Sequence, residues 1–358
     1  VIVQTLRITD LRCVQAAELA LAPGLNVLLG PNGAGKSSVL EALHLLAYGR
    51  SFRGRVGDGL IRTGAPHLDV FVAWTDGRGQ AHRAGLRHAG TRWEARCDGE
   101  DVANLGELCA RIAVVSFEPG SHELIGGASE HRRRFMDWGL FHVEPGFMPL
   151  WRRYARALKQ RNALLKTRPA PGALAPWDAE LADSGEALTR LRQGYLDTLE
   201  PTLAGEAAEF LAELGTPELE FRPGWKRQEL GLADALLLSR ERDLAAGHTA
   251  VGPHRADWRI SFAGLPGREA LSRGQEKLTA LACILGQAHH HALQHGDWPV
   301  IALDDLASEL DEAHQRRVLA RVLGFGAQVV VSGTHLPAAL ADERGLVFHV
   351  ERGEVHPA

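Results

Sequence analysis

Gly30-Pro31-Asn32-Gly33-Ala34-Gly35-Lys36-Ser37-Ser38 is the stretch from which the fold reads outward. It fits the pattern of Gly, four residues, then Gly-Lys-Ser. An apolar run, Asn26-Val27-Leu28-Leu29, precedes it, and a helix-patterned run with Val39, Leu40, Ala42, Leu43 and Leu46 follows. Strand, tight loop and helix in that order are the context a phosphate-binding loop requires. Glycines let the backbone turn through positive φ and bring N–H groups close to an anion. The helix N-terminus adds unpaired donors and partial positive charge. Lys36 would reach the β- and γ-phosphates, and the Ser37 hydroxyl would ligate Mg²⁺. A chance match in a glycine-rich chain is the competing explanation, and the flanking strand and helix weigh against it.

The chain has 358 residues, room for two or three domains or one large domain with an insertion. Its net charge of −4 gives no hint of nucleic acid, so any basic surface must be local. Four cysteines (Cys13, Cys97, Cys109, Cys283) lack C-x-x-C spacing and read as reduced thiols of a cytoplasmic protein. No apolar run approaches bilayer length and no signal peptide opens the chain, so no membrane association is expected.

Residues 1–9 alternate as a strand, a second strand is expected from Ala16 to Leu21, and Pro23-Gly24 turns into the strand that feeds the loop. The helix after the loop ends near Tyr48-Gly49, and a basic loop, Gly49-Arg50-Ser51-Phe52-Arg53-Gly54, follows. From His67 to Cys97 the period is two, as in an antiparallel meander. A short helix at Leu105–Ala110 leads to a buried-type strand, Ile112–Phe117. After Phe117 the pattern is helical. Residues 151–168 hold seven Lys or Arg and no acid, over a stripe of Leu150, Tyr154, Leu158 and Leu165, until Pro169, Pro171 and Pro176 break the pattern. Another helix runs through Leu181, Leu188, Leu191, Tyr195 and Leu199, with a restart expected near Pro201. A strand at Glu218–Trp225 and a helix at Leu232–Leu244 precede the return of α/β character at Thr249.

Three further motifs then appear in order: Leu271-Ser272-Arg273-Gly274-Gln275 at the head of a long helix, the strand Val300–Leu303 ending in Asp304-Asp305, and Ser308-Glu309-Leu310-Asp311. Ligands in open α/β sheets bind at the C-terminal strand edge, where Asp304 and Asp305 stand. The phosphate loop and acidic strand belong to P-loop ATPases generally. Together with the other two motifs they resemble the ATP-binding-cassette ATPases. In those, the Ser-x-Gly-Gln loop of one subunit caps the nucleotide held by the other. On that resemblance Ser272, Arg273, Gly274 and Gln275 would face a second copy's ATP. Asp304 would hold the Mg²⁺ shell, and Asp305 would orient the attacking water beside Lys36. The superfamily usually has Glu where Asp305 stands. The shorter side chain leads to an expectation of slow hydrolysis.

Three more stretches narrow the resemblance: Gly49-Arg50-Ser51-Phe52-Arg53, Arg132-Arg133-Arg134-Phe135-Met136-Asp137-Trp138-Gly139 and Gly252-Pro253-His254-Arg255-Ala256-Asp257. With Leu158-Lys159-Gln160-Arg161-Asn162 they are similar to the RecF family of bacterial DNA-repair ATPases, from Leu6 to about Gly353. The resemblance implies an α/β cassette head with a mixed sheet and an antiparallel β subdomain, made of 1–117 and 249–358, with an inserted helical lobe at 118–248. It implies an ATP-dependent homodimer on single-stranded, gapped or junction DNA, weak ATP hydrolysis, and work with RecR and RecO in loading RecA. Departures exist. Gly120 and Ser129 replace an acid and a Pro, Cys13 replaces a common Asn, no Gln of the cassette type lies between Val115 and Gly126, and His335 sits at a variable switch position.

Some residues admit two readings. The basic helix, with Arg152, Arg153, Arg156, Lys159 and Arg161, is either a solvated face or a DNA contact, and its lack of acids favours DNA. Arg132–Arg134 are either DNA contacts or structural ion-pair partners. His289, His290 and His291 point in different directions around a helix, which is poor for a metal and suggests surface residues. His254 and Arg255 are either turn residues or nucleotide contacts. Two other functions compete: the ATPase subunit of a transporter, against which stand the long interval from Lys36 to Leu271 and the helical lobe with its basic run, and a small-molecule kinase, which has no use for the paired cassette motifs.

Overall fold

The computed structural model describes residues 1–53, 59–167, 170, 172–265, 271–340 and 343–358. Gly54, Arg168, Pro169 and Pro171 lie outside the described residues. The chain forms two compact units, Val1–Ser121 with Arg273–Ala358, and His122–Ser272.

The first unit opens with β1 (Ile2–Leu11), β2 (Val14–Ala20) and β3 (Leu25–Leu29), then α1 (Lys36–Tyr48). β4 (Leu68–Thr75), β5 (Ala81–Ala89), β6 (Arg92–Cys97) and β7 (Glu100–Asp101) follow, with α2 (Leu105–Cys109) and β8 (Val114–Phe117). β1, β2 and β4–β7 form one antiparallel sheet in the order β2-β1-β4-β5-β6-β7. This is the expected meander, joined by the two N-terminal strands. The alternating burial along β4 reflects one face on the core and one in solvent.

The second unit holds α3 (Glu123–Gly126), α4 (Ser129–Val143), α5 (Phe147–Leu165), α6 (Ala175–Phe210), β9 (Pro217–Arg222), α7 (Leu232–Ala246) and β10 (Asp257–Phe262). The helix does not restart at Pro201: α6 runs through it. Pro201 cannot donate to the Asp197 carbonyl, but Asp197 and Pro201 are both exposed, so water can take that acceptor. Leu196, Leu199 and Leu203 are buried on either side and hold the helix together. β10 was expected in the head. It pairs instead with β9, antiparallel, from Asp257↔Arg222 to Phe262↔Pro217. Its Trp258 is fully buried against Phe135, and the indole N–H donates to the Arg132 carbonyl at 2.9 Å. The chain therefore re-enters the first unit at Arg273 rather than near residue 249.

Back in the first unit come α8 (Arg273–His295), β11 (Val300–Leu303), α9 (Leu306–Glu309), α10 (Glu312–Gly324), β12 (Val329–Gly333), β13 (Gly345–Glu351) and β14 (Glu354–Pro357). The second sheet has the order β14-β13-β3-β12-β11-β8, parallel except for β14. β11 and β12 are buried throughout, which is why they read as unbroken apolar runs. α1 packs against β1 of one sheet and β8 and β12 of the other. Flanked by both sheets, it is buried on nearly every side. Gln328 stitches the two sheets: its Oε1 accepts from Val3 N, and its Nε2 donates to the carbonyls of Val3 and Ala22. His290 and His291 are buried in α8 rather than at the surface, and His289 lies against Trp298 and Phe325. Among the described residues no His, Cys, Asp and Glu cluster could hold a metal by itself. Among the described residues no helix is long and apolar enough to cross a membrane.

Candidate nucleotide site

The loop from Gly30 to Gly35 joins β3 to α1 at the C-terminal edge of the parallel sheet. Gly33 (φ 80°) and Gly35 (φ 119°) occupy conformations that resist side chains. Gly30 is needed for a different reason: a Cβ there would lie 2.1 Å from the Val350 carbonyl oxygen. Pro31, Asn32 and Gly33 are exposed, whereas Ala34, Gly35, Lys36 and Ser38 are buried. The Lys36 ammonium donates to the carbonyls of Gly30 (2.7 Å) and Pro31 (3.0 Å). Burial pushes its pKa down, opposed by the charges of Asp305 and Asp304.

The acidic strand arrives beside this loop. Ser37 Oγ donates to Asp304 Oδ1 at 2.9 Å, and Ser332 Oγ donates to the same oxygen at 2.6 Å. Burial raises the Asp304 pKa, and the two hydroxyls and the Arg53 guanidinium pull it back. A serine hydroxyl beside a carboxylate is a set of hard oxygen donors, the kind Mg²⁺ takes when phosphates supply its other ligands. Asp305 sits in the left-handed region (φ 50°, ψ 44°) at the head of α9. A non-glycine residue held there costs on the order of 1 kcal/mol and marks a site where direction matters. Its amide donates to Ser332 Oγ at 3.0 Å, and its carboxylate accepts from the Ser308 hydroxyl.

The remaining cassette-type residues are placed as follows. Ser272, Arg273 and Gly274 are exposed and Gln275 is half-buried, at the start of α8. Among the described residues, no atom beyond its chain neighbours and its own helix backbone lies within 4 Å of a Cβ built on Gly274. Lys277, one turn along, pairs with Glu309 at 2.9 Å and so ties the signature helix to the Ser308–Asp311 segment. Asp311 caps α10 by accepting from His314 N at 2.9 Å. His335 is exposed, with Nδ1 3.0 Å from Thr334 Oγ1. Glu118 accepts from Gly120 N at 2.6 Å and closes a local turn.

Three residues to which the sequence reading gave no role form a clasp on α1 behind the loop. Arg12 forks onto Glu41 at 3.0 and 2.9 Å, and Glu41, fully buried on α1, also accepts from the Ser51 hydroxyl. Ser51 Oγ in turn accepts from the Arg53 amide at 2.9 Å. A lone acid in the apolar run of α1 was the available signal, because a buried carboxylate requires a partner.

In the second unit the first two of the three consecutive arginines are structural, and the third is exposed. Arg132 pairs with Asp257 at 2.6 Å and donates to the carbonyls of Leu124, Ile125 and Gly127. Arg133 donates to Ser129 Oγ and the Ala256 carbonyl, and Arg134 pairs with Glu130. His254 is a turn residue: it contacts the Tyr154 hydroxyl at 2.7 Å and the Thr249 carbonyl at 3.0 Å. Of the expected DNA contacts, Arg152, Arg156 and Lys159 are exposed. Arg161 is fully buried, paired with Asp178 and Asp243 and donating to Thr249 Oγ1. It cannot reach a ligand in solvent, and its expected role is corrected to that of a structural hub. Arg153 is held by Glu180 and Asp183.

Comparison with known proteins agrees with this layout. Residues 2–353 match the RecF/RecN/SMC N terminal domain family. A "DNA replication and repair protein RecF" of Stenotrophomonas maltophilia is 60% identical, over 99% of this chain and 98% of the relative. Its counterpart in Shewanella baltica is 37% identical over 98% of both. The solved recombination mediator protein RecF with ATP, in the RecFOR pathway, superposes with a TM-score of 0.90 at 25% identity, covering 100% of this chain and 97% of that one. An Smc head bound to the C-winged helix domain of ScpA gives 0.58 at 13% identity, over 100% of this chain and 97% of that one, a likeness of fold alone. The fold is therefore the ATP-binding-cassette head with a helical lobe, and the chain belongs to the RecF family.

Proposed function

We propose that this chain is an ATP-dependent DNA-binding protein of recombinational repair and replication. ATP binds at Gly30–Ser38 and induces a homodimer on single-stranded, gapped or junction DNA. The observation that carries this reading is the 2.9 Å hydrogen bond from Ser37 to Asp304, which brings the phosphate loop and acidic strand to one point. Backbone N–H groups of Gly33–Ser38 would cradle the phosphates, and Lys36 would leave the loop carbonyls for the β- and γ-phosphates. Ser37 and Asp304 would hold Mg²⁺, which neutralises phosphate charge when bound. Asp305, fixed by Ser332 and Ser308, would orient a water, with slow hydrolysis as the outcome.

The exposed Ser272-Arg273-Gly274-Gln275 segment would complete the site of a second copy, which makes dimerisation depend on nucleotide. The solved RecF of the RecFOR pathway supports work with RecO and RecR, and loading of RecA, the SOS response and a cytoplasmic place follow from the family resemblance. The RecF relatives disfavour the transporter alternative, and so does the helical unit with its basic run at 151–168. ATP binding and turnover on wild type, Lys36→Ala and Asp305→Asn test the site. Loss of binding in Lys36→Ala, with binding kept and turnover lowered about 10²-fold or more in Asp305→Asn, is expected. Wild-type turnover in Asp305→Asn would remove the assignment of Asp305.

A further inference from the structure

We infer that the outward face of α5 is a track for the DNA phosphate backbone, formed by Arg152, Arg156, Lys159 and Lys166, with Arg153 and Arg161 excluded. This deepens the DNA-binding reading above and rests on it. α5 buries Phe147, Tyr154, Ala157, Arg161 and Leu165, one stripe at helical spacing. Arg152, Arg156, Lys159 and Lys166 are exposed. Their spacings of four, three and seven residues return to one side of a 3.6-residue helix, opposite the buried stripe. The row rises about 21 Å at 1.5 Å per residue, roughly the axial length of six base pairs.

The acids packed against α5 come from α4, α6 and α7: Asp137 of α4 reaches Trp151 but is paired with Arg192, and inward arginines of α5 answer most of the others. Arg153 holds Glu180 and Asp183, while Arg161 holds Asp178 and Asp243. Arg240 shares Asp178 at 2.7 Å. Glu180 also feels the Arg156 charge, though its main partner is Arg153. α5 itself carries no acid, so the outward row projects positive charge from a protein of net charge −4. The four side chains of the row are cations; the exposed amide Gln160 and indole Trp151 stand at its edges on the same helix. The row therefore fits phosphates, which are recognised without regard to sequence. An acidic protein surface would also suit a row of cations, and the experiment separates the two.

The test uses a labelled gapped duplex with ATP, titrated by fluorescence anisotropy at several salt concentrations. It compares wild type, a quadruple variant (Arg152→Gln, Arg156→Gln, Lys159→Gln, Lys166→Gln) and a control removing exposed charges on α6 and α7 (Arg190→Gln, Arg242→Gln). The quadruple variant should bind at least about tenfold more weakly and lose about 3 to 4 from the log–log salt slope. The control should keep the wild-type slope. Unchanged far-UV circular dichroism and fluorescent-ATP binding would exclude misfolding as the cause. Wild-type affinity and slope in the quadruple variant would overturn the assignment and leave the row to an acidic partner, while DNA binding itself would stand. Salt-independent or absent DNA binding by wild type would instead remove the DNA-binding reading, and the track with it.

Discussion

The Ser332 hydroxyl donates to Asp304 Oδ1 at 2.6 Å and accepts from the Asp305 amide at 3.0 Å, so one buried side chain sets the direction of both acids. Ser332→Ala would leave a buried carboxylate short of a donor and the Asp305 amide without its acceptor, a loss of about 1–3 kcal/mol for each unsatisfied group. The expected result is turnover lowered about tenfold or more, with a raised Mg²⁺ requirement and ATP affinity close to wild type. Ser332→Thr keeps the hydroxyl and should recover most of the activity. Equal Mg²⁺ dependence in wild type and Ser332→Ala would show that the hydroxyl does not position the acids.

Arg161 and Arg156 lie on the same basic helix and should behave oppositely. Arg161→Ala would strand the fully buried Asp243, and breaking a buried pair costs about 3–5 kcal/mol. Differential scanning calorimetry should show melting of the second unit lowered by roughly 10 °C. Arg156→Ala, at an exposed position, should stay within about 0.5 kcal/mol of wild type. Similar small effects from both would mean that Arg161 is not the hub of its unit.

Buried histidines make the fold acid-sensitive. Burial, with the Arg50 charge adding to it, lowers His44 to about 3. Burial is also the main cause that brings His254 and His291 down to about 4. In the unfolded chain these imidazoles titrate near about 6.5. Below that pH the unfolded state takes up protons that the folded state refuses. Stability is thus full above about pH 6.5 and falls as pH drops toward 4, by up to about 1.4 kcal/mol per pH unit for each group. Melting temperatures between pH 7 and pH 5 should fall, and His44→Phe should flatten the decline. An unchanged melting temperature over that range would contradict neutral burial.

Glu41→Gln tests the support behind the loop. Arg12 would lose the acceptor of its Nε–H and the carboxylate charge, while the remaining amide oxygen could still accept from Ser51, in a site where residue 41 is fully buried. ATP affinity should fall, because the 50–53 segment and α1 share this clasp. Wild-type affinity in Glu41→Gln would restrict the clasp to a role in stability.

What the sequence disclosed was local. The glycines of the phosphate loop, the apolar runs of β11 and β12 and the period-two meander each follow from neighbours along the chain. What it hid was partnership across the fold. Nothing near Trp258 tells that β10 pairs with β9, and nothing near Arg161 tells that its acids sit on α6 and α7. Ser332 stands within β12 and carried no motif, although it touches both acids. The consecutive histidines were misplaced for a related reason: two of them fall on the wide buried side of α8, which periodicity in polar residues does not reveal.

The ATP-dependent dimer is tested most directly by the mass of wild type and Ser272→Arg in solution, with and without ATP, in the presence of gapped DNA. Ser272 is exposed at the head of α8, so the substitution should leave the fold intact while blocking approach to a second nucleotide. A wild-type dimer that forms only with ATP, and a Ser272→Arg protein that binds ATP but stays monomeric, is the predicted result. A wild type that remains monomeric with ATP and DNA, or a Ser272→Arg protein that dimerises as wild type does, would contradict the composite site.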